Sequence, residues 1–171
     1  MDGLIFGGHY MAALRAGRVP DLLQAFDDAA NEAGKSAGAP KVAEIKISLS
    51  RNRAAARDFV KDSAGRRVLN MYRQGYTHVD IQRLGVRLED IQRLDLTEKE
   101  GGSGAEFDRL VTDDMIDAIF IAGEPGDCLE RLIDVRNTAE QQGFHQLMFS
   151  ELGPDLDEAM ALLCDEVIPA L

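Results

Sequence analysis

The sequence predicts an α/β protein built on a parallel sheet. Three observations carry this. Short apolar runs alternate with longer segments of helical period. Whole helices separate the runs, so right-handed crossovers rather than hairpins must join them. The chain has 171 residues, 45% hydrophobic and 29% charged, the proportions of one soluble domain able to bury a core. No repeat of 20–50 residues is evident.

The elements follow in order. Leu4-Ile5-Phe6, ended by Gly7-Gly8, reads as a buried strand and a turn. Pro20 suits a first helical position, and behind it Leu22, Phe26, Ala29, Ala30 and Ala33 share a face up to a stop at Gly34. Over residues 41–50 the period becomes two, with Val42, Ile45, Ile47 and Leu49 apolar and Glu44, Lys46, Ser48 and Ser50 between them. Asn52 caps a long helix with the stripe Ala56, Val60, Ala64, Val68 and Tyr72. Gly75 and Gly85 divide residues 75–94 into two short helices, and a flexible loop follows around Gly101-Gly102-Ser103-Gly104. No Gly-Lys-Ser/Thr follows this loop, so it is not a P-loop.

Thr112 caps a short helix through Met115. Ala122-Gly123-Glu124-Pro125 starts a helix whose stripe holds Cys128, Leu129, Leu132, Ile133, Arg136 and Ala139 and which ends at Gly143. Gln146 to Ser150 is the third strand. Gly153-Pro154-Asp155 leads into a last helix with Leu156, Met160, Leu163 and Val167 inward.

Charge narrows the function classes. Nineteen basic residues against thirty acidic ones leave a net −11. A field of that sign repels nucleic-acid phosphates and anionic membranes. The sign is uneven along the chain: residues 51–93 hold ten basic and five acidic side chains, residues 151–171 six acidic and none basic. Solvated faces or a basic groove for an anionic cofactor tail both accommodate this. Cys128 and Cys164 form no CxxC, and the three histidines have no ligand spacing, so neither a disulfide framework nor a metal site is expected. The opening Met1-Asp2-Gly3 has no basic segment, and the apolar stretch Gly3 to Leu14 is too short to span a bilayer, so a cytoplasmic location is expected.

Three segments together resemble one family. Asp2-Gly3-Leu4-Ile5 resembles the "ADGVI" strand of luciferase-like flavin-dependent oxidoreductases. Val111 to Ala118 with Ile121 to Pro125 resembles that family's "VTDEMLDAFAIAGTPEE", and Gly153 to Pro169 resembles its "GPDPEEALELLAEEVLPAL" ending. The order and spacing also match, most closely the branch of the deazaflavin-dependent methylenetetrahydromethanopterin reductases. Glu124 stands where the family has Thr, a poorer N-cap. The resemblance implies the C-terminal portion of a (β/α)8 barrel, about three parallel strands with helices. Such a barrel needs about 250 residues. It also implies one partial domain over 1–171, with 75–110 as a helical and loop insertion. The family's first five strands, which carry catalytic groups and much of the flavin pocket, have no counterpart, as in a truncated or split gene.

In a barrel the C-terminal strand ends face the active site. The resemblance therefore directs attention to Gly7, Gly8 and His9, to Ser48 and Ser50, and to Ser150 and Glu151. Gly7-Gly8 either lets the backbone approach a phosphate or flavin ring or simply makes a tight turn. His9 is either a cofactor or substrate contact, able to act as acid or base, or a polar loop residue. Ser48, Ser50 and Ser150 offer hydroxyls to a cofactor phosphate or alternate toward solvent. Asp113-Asp114 suits the positive end of a helix dipole. The catalytic residues stay unassigned.

The function implied is an FMN- or deazaflavin (coenzyme F420)-dependent oxidoreductase fragment, a monooxygenase or reductase acting on a small molecule and incomplete for catalysis alone. The alternative is a non-catalytic interaction module. Open sheet edges would then pair with a complementing N-terminal half or with a second copy.

Overall fold

The computed structural model describes residues 3–35, 39–102 and 104–171. Asp2 of the first motif and Ser103 of the glycine-rich loop therefore lie outside the described residues. Four strands form one parallel sheet: β1 (Leu4–Phe6), β2 (Lys41–Leu49), β3 (Phe120–Gly123) and β4 (Gln146–Ser150). β2 is the hub. β1 pairs with its first residues (Leu4 opposite Lys41) and β3 with its last (Ile47 opposite Ile121). β4 pairs with Val42 through Lys46, which puts it on the other edge of β2.

The strand count corrects the expectation of three. Phe120–Gly123 is too short to show an alternation and follows directly on the helix Asp113–Ile119, so it reads from sequence as a helix boundary. All four of its residues are buried.

The helices are α1 (Tyr10–Ala16), α2 (Val19–Glu32), α3 (Arg53–Arg73), α4 (His78–Arg83), α5 (Leu88–Lys99), α6 (Ala105–Leu110), α7 (Asp113–Ile119), α8 (Pro125–Gln141) and α9 (Leu156–Leu162). A π-turn (Leu163–Val167) and a 3-10 turn (Ile168–Ala170) continue α9. The two caps expected from sequence, Asn52 and Thr112, form, and Asp155 adds a third. Asn52 accepts from the Ala55 amide, Thr112 from Met115 and Asp155 from Glu158. Glu124 makes no side-chain cap, and α8 instead begins on Pro125.

Two helix faces differ from the sequence reading. On α2 the buried side chains are Val19 and Leu23, while Leu22 is 39% exposed. The helix starts at Val19, and counting in fours from that anchor selects the neighbouring face. On α9, Leu156 and Met160 point outward, and Ala159, Leu163 and Val167 face the core. The π-turn widens the repeat, so every fourth residue keeps one face through it. α1 and α6 were not anticipated, because each is only a turn or two long.

The two faces of β2 carry the two halves of the core. Ala43, Ile45, Ile47 and Leu49, all fully buried, pack with α1, α2, α8 and α9. On the opposite face, α3 covers the C-terminal half of the sheet, where Phe120 and Ala122 join Val60, Ala64 and Val68. The N-terminal half of that face is open, with Ile5 60% and Met148 38% exposed. At the line between the covered and open halves sit Glu44 and Lys46.

Candidate functional site

Burying Lys46 requires partners, because a lone ammonium in a low dielectric is strongly disfavoured. Lys46 is 5% exposed. Its Nζ donates to Glu44 at 3.1 Å, to Glu151 at 2.9 Å and to the Ser150 hydroxyl at 3.4 Å. Glu44 lies two residues along on the same face of β2, as strand periodicity demands. Its carboxylate accepts from the Ser150 hydroxyl at 2.6 Å and from the Gly8 backbone amide at 2.7 Å. Arg67, from α3, closes the network by donating to Glu151 at 2.9 Å.

The backbone is shaped for this arrangement. Gly8 has φ +43°, and a Cβ at Gly7 would meet the Glu44 carboxylate at 3.0 Å. Past the end of β4, Glu151 (φ +74°) and Leu152 (φ +38°) both occupy the left-handed region without being glycine. Each such residue costs on the order of 1 kcal/mol or more. Three bonds hold them: the Leu152 carbonyl accepts from the Leu49 amide at 2.7 Å, and Lys46 and Arg67 grip the same Glu151 oxygen. Strain of this kind concentrates at working sites.

The electrostatics are balanced. Lys46 and Arg67 offset Glu44 and Glu151. Burial alone would raise the Glu44 carboxyl, but the hydrogen bonds from Ser150, Gly8 and Lys46, with the Lys46 charge, hold it down at about 2. His9 follows Gly8 and is half-buried beside this group. Burial, then the charges of Arg67 and Lys46, lower its pKa below the ordinary 6.5, against the opposing pull of Glu44. His9 is therefore neutral at pH 7.

The structure brings Gly7, Gly8, His9 and Ser150 together around Glu44 and Lys46. Ser48 lies on the same face of β2 but is fully buried, and its hydroxyl donates to the Ala56 carbonyl at 2.8 Å. Ser50 donates to Glu158 at 2.8 Å at the start of the α9 segment. Sequence reasoning passed over Glu44, Lys46 and Arg67. Glu44 and Lys46 stood in plain view as the polar half of an alternation, but only the cover supplied by α3 turns that side into an interior. His78 and His145 are exposed, and Asp113 pairs with Arg57. Among the described residues no three His, Cys, Asp or Glu side chains gather as a metal site, and no helix is long and apolar enough to cross a membrane.

Parallel strands joined through helices, with polar side chains meeting at their C-terminal ends, define an α/β protein similar to part of a (β/α) barrel, its sheet not closed. Among solved structures, the chain is similar to the coenzyme F420 dependent tetrahydromethanopterin reductase from Methanopyrus kandleri, with a TM-score of 0.70 and 25% identity. The match covers 98% of this chain and 44% of the reductase, so the chain spans less than half of that protein's length. No family model matches the chain.

Proposed function

We propose that this chain forms the C-terminal part of a luciferase-like oxidoreductase that uses a deazaflavin. The observation that carries the reading is the Glu44–Lys46–Glu151 network at the C-terminal ends of β1 and β4, the edge at which barrel enzymes hold their ligands. The likeness to an F420-dependent reductase supports deazaflavin over FMN. The residues fit the uncharged ring portion of such a group. Their charges cancel, and the lone pairs left on Glu44 and Glu151, with neutral His9 beside them, present acceptors and a donor to a ring edge. They do not fit a phosphate, because carboxylates already occupy both cations and Glu44 occupies the Gly8 amide. The bound group supplies hydride transfer. The chain's own residues orient it: Glu44 and Glu151 accept through the lone pairs the network leaves free, neutral His9 offers one ring nitrogen of each kind, and Lys46 and Ser150 hold the two carboxylates in place.

Fluorescence titration with coenzyme F420 and with FMN tests this, on the chain alone and mixed with the N-terminal half of a full-length relative. Saturable F420 binding that Lys46→Met weakens is the expected outcome. No binding in either arrangement overturns it.

A second reading has its own observation. Among the described residues, β1 and β4 each pair only with β2, and the open half-face exposes Ile5 and Met148. Such edges recruit further strands. The chain is then an interaction module, and sedimentation velocity should show self-association that Ile5→Lys suppresses. A concentration-independent monomer removes this reading.

A further inference from the structure

We propose that the solvent-open cavity bounded by α1, the start of α3, the end of α7 and the start of α8, with Arg15 and Arg53 exposed at its rim, binds a phosphoryl-type dianion. The cavity holds about 180 Å³. Four guanidinium groups line it, Arg15, Arg53, Arg57 and Arg131, against two carboxylates, Asp117 and Asp127. In a chain of net charge −11 this is a local reversal of sign. An excess of two positive charges matches a dianion, where a monocarboxylate would leave one charge over.

The four arginines divide into two pairs. Arg57 and Arg131 are fixed: both donate to the same Asp117 oxygen, at 3.0 and 2.9 Å. Arg131 donates further to the Asp117 and Phe120 carbonyls, each at 3.0 Å, and Arg57 to Asp113 at 2.9 Å. Asp113 lies outside the cavity, with its side chain 80% exposed. Arg53 and Arg15 hold donors in reserve. Arg53 donates one bond, to Asp127 at 2.9 Å. Among the described residues, Arg15 has one acceptor, the Leu84 carbonyl at 3.5 Å. A guanidinium carries five N–H donors in a fork that matches phosphate oxygens.

The setting favours the same charge. α8 runs 17 residues and begins at the cavity with no side-chain cap. Its positive end therefore adds to the field of the arginines. Burial, then the charge of Arg131, lowers the Arg15 pKa against the opposing pull of Asp117 and Asp114. The Cys128 thiol in the wall is neutral, pushed by burial to about 12, and does not compete as an anion. A groove of about 400 Å³, lined by Arg53, Arg57 and Lys61 with Asp58 and Asp113, adjoins and leaves room for the body of a larger phosphorylated ligand.

The test uses the whole chain and no flavin, so it stands apart from the oxidoreductase reading. Inorganic phosphate and methyl phosphate are titrated at constant ionic strength against chloride, with arginine Nε–Hε signals and the Asp127 and Cys128 amides followed by NMR. The expected result is saturable one-site binding that chloride does not reproduce, weakened at least about tenfold in Arg15→Gln/Arg53→Gln with an unchanged far-UV spectrum. Tighter methyl phosphate identifies the phosphomonoester of a larger ligand as the source, and tighter inorganic phosphate the free ion. Shifts that fail to saturate, that chloride matches, or that persist unchanged in the variant overturn the proposal. Should the double variant unfold, Arg15→Gln alone, which gives up one long hydrogen bond, decides between the same outcomes.

Discussion

Glu44 reaches from the middle of β2 to accept the backbone N–H of Gly8 at 2.7 Å, tying the end of β1 to the hub strand. The same carboxylate takes the Ser150 hydroxyl at the end of β4. One side chain thus joins three strands, reaching 36 positions back to Gly8 and 106 forward to Ser150.

Glu44→Gln tests this joint. Folding lowers the Glu44 pKa from an ordinary 4.5 to about 2. A carboxyl depressed by folding adds stability above its unfolded pKa, and that stability is lost as pH falls from 4.5 toward about 2. Urea titrations across this window should show a shallower acid loss in the variant. At neutral pH the variant should be less stable by ~1–3 kcal/mol.

His9 carries a pH signature of the same sign in a higher window. Its pKa is lowered in the fold, so the unfolded chain binds the proton more readily, and stability falls as pH drops below 6.5. His9→Gln should remove that slope and leave stability unchanged well above it. In NMR titrations of the parent, His9 should titrate below 6.5, and Glu44→Gln should lower it further, because Glu44 opposes the shift.

Gly65 and Gly126 should respond to alanine with opposite signs. A Cβ at Gly65, within α3, would lie 2.6 Å from Val111 and 2.8 Å from Phe107. Overpacking of that kind costs ~1–3 kcal/mol, more than the ~0.5–1 kcal/mol that alanine gains in a helix. At Gly126 nothing lies within 4 Å, and alanine should stabilise by a few tenths of a kcal/mol up to about 1 kcal/mol. Thermal melts of the two variants check both signs.

The two thiols should differ in reactivity. Cys128 is buried, with its pKa raised to about 12, whereas Cys164 is exposed. A disulfide reagent at neutral pH should label Cys164 rapidly and Cys128 only as fast as the fold opens. Cys164→Ser should abolish the fast phase.

Much of the architecture was legible without coordinates. The period-two run over 41–50, the caps Asn52 and Thr112 and the stripe from Ala56 to Val68 are local signals, each written in a single short stretch of chain. The resemblance of three motifs in order also led to the same region of fold space as the superposition. β3 escaped because four residues are too few to display a period; α2 was rotated because its face is set by its anchor at Val19, and on the last helix Leu163 and Val167 face the core as expected while Leu156 and Met160 do not.

The site divides the same way. That Gly7, Gly8, His9 and Ser150 stand near strand ends follows from local pattern and strand direction. That Glu44 and Lys46 are interior, and that Arg67 and Glu151 complete them, follows only from where α3 crosses the sheet. Alternation along a strand tells which residues share a face, but burial of a face depends on what packs over it. Arg67 and Glu151 are 84 positions apart, and no local pattern encodes a contact across that distance. Local chemistry therefore wrote the elements and their ends, while tertiary packing chose which polar face became an interior, because desolvation is a property of the assembled layers and not of any one of them.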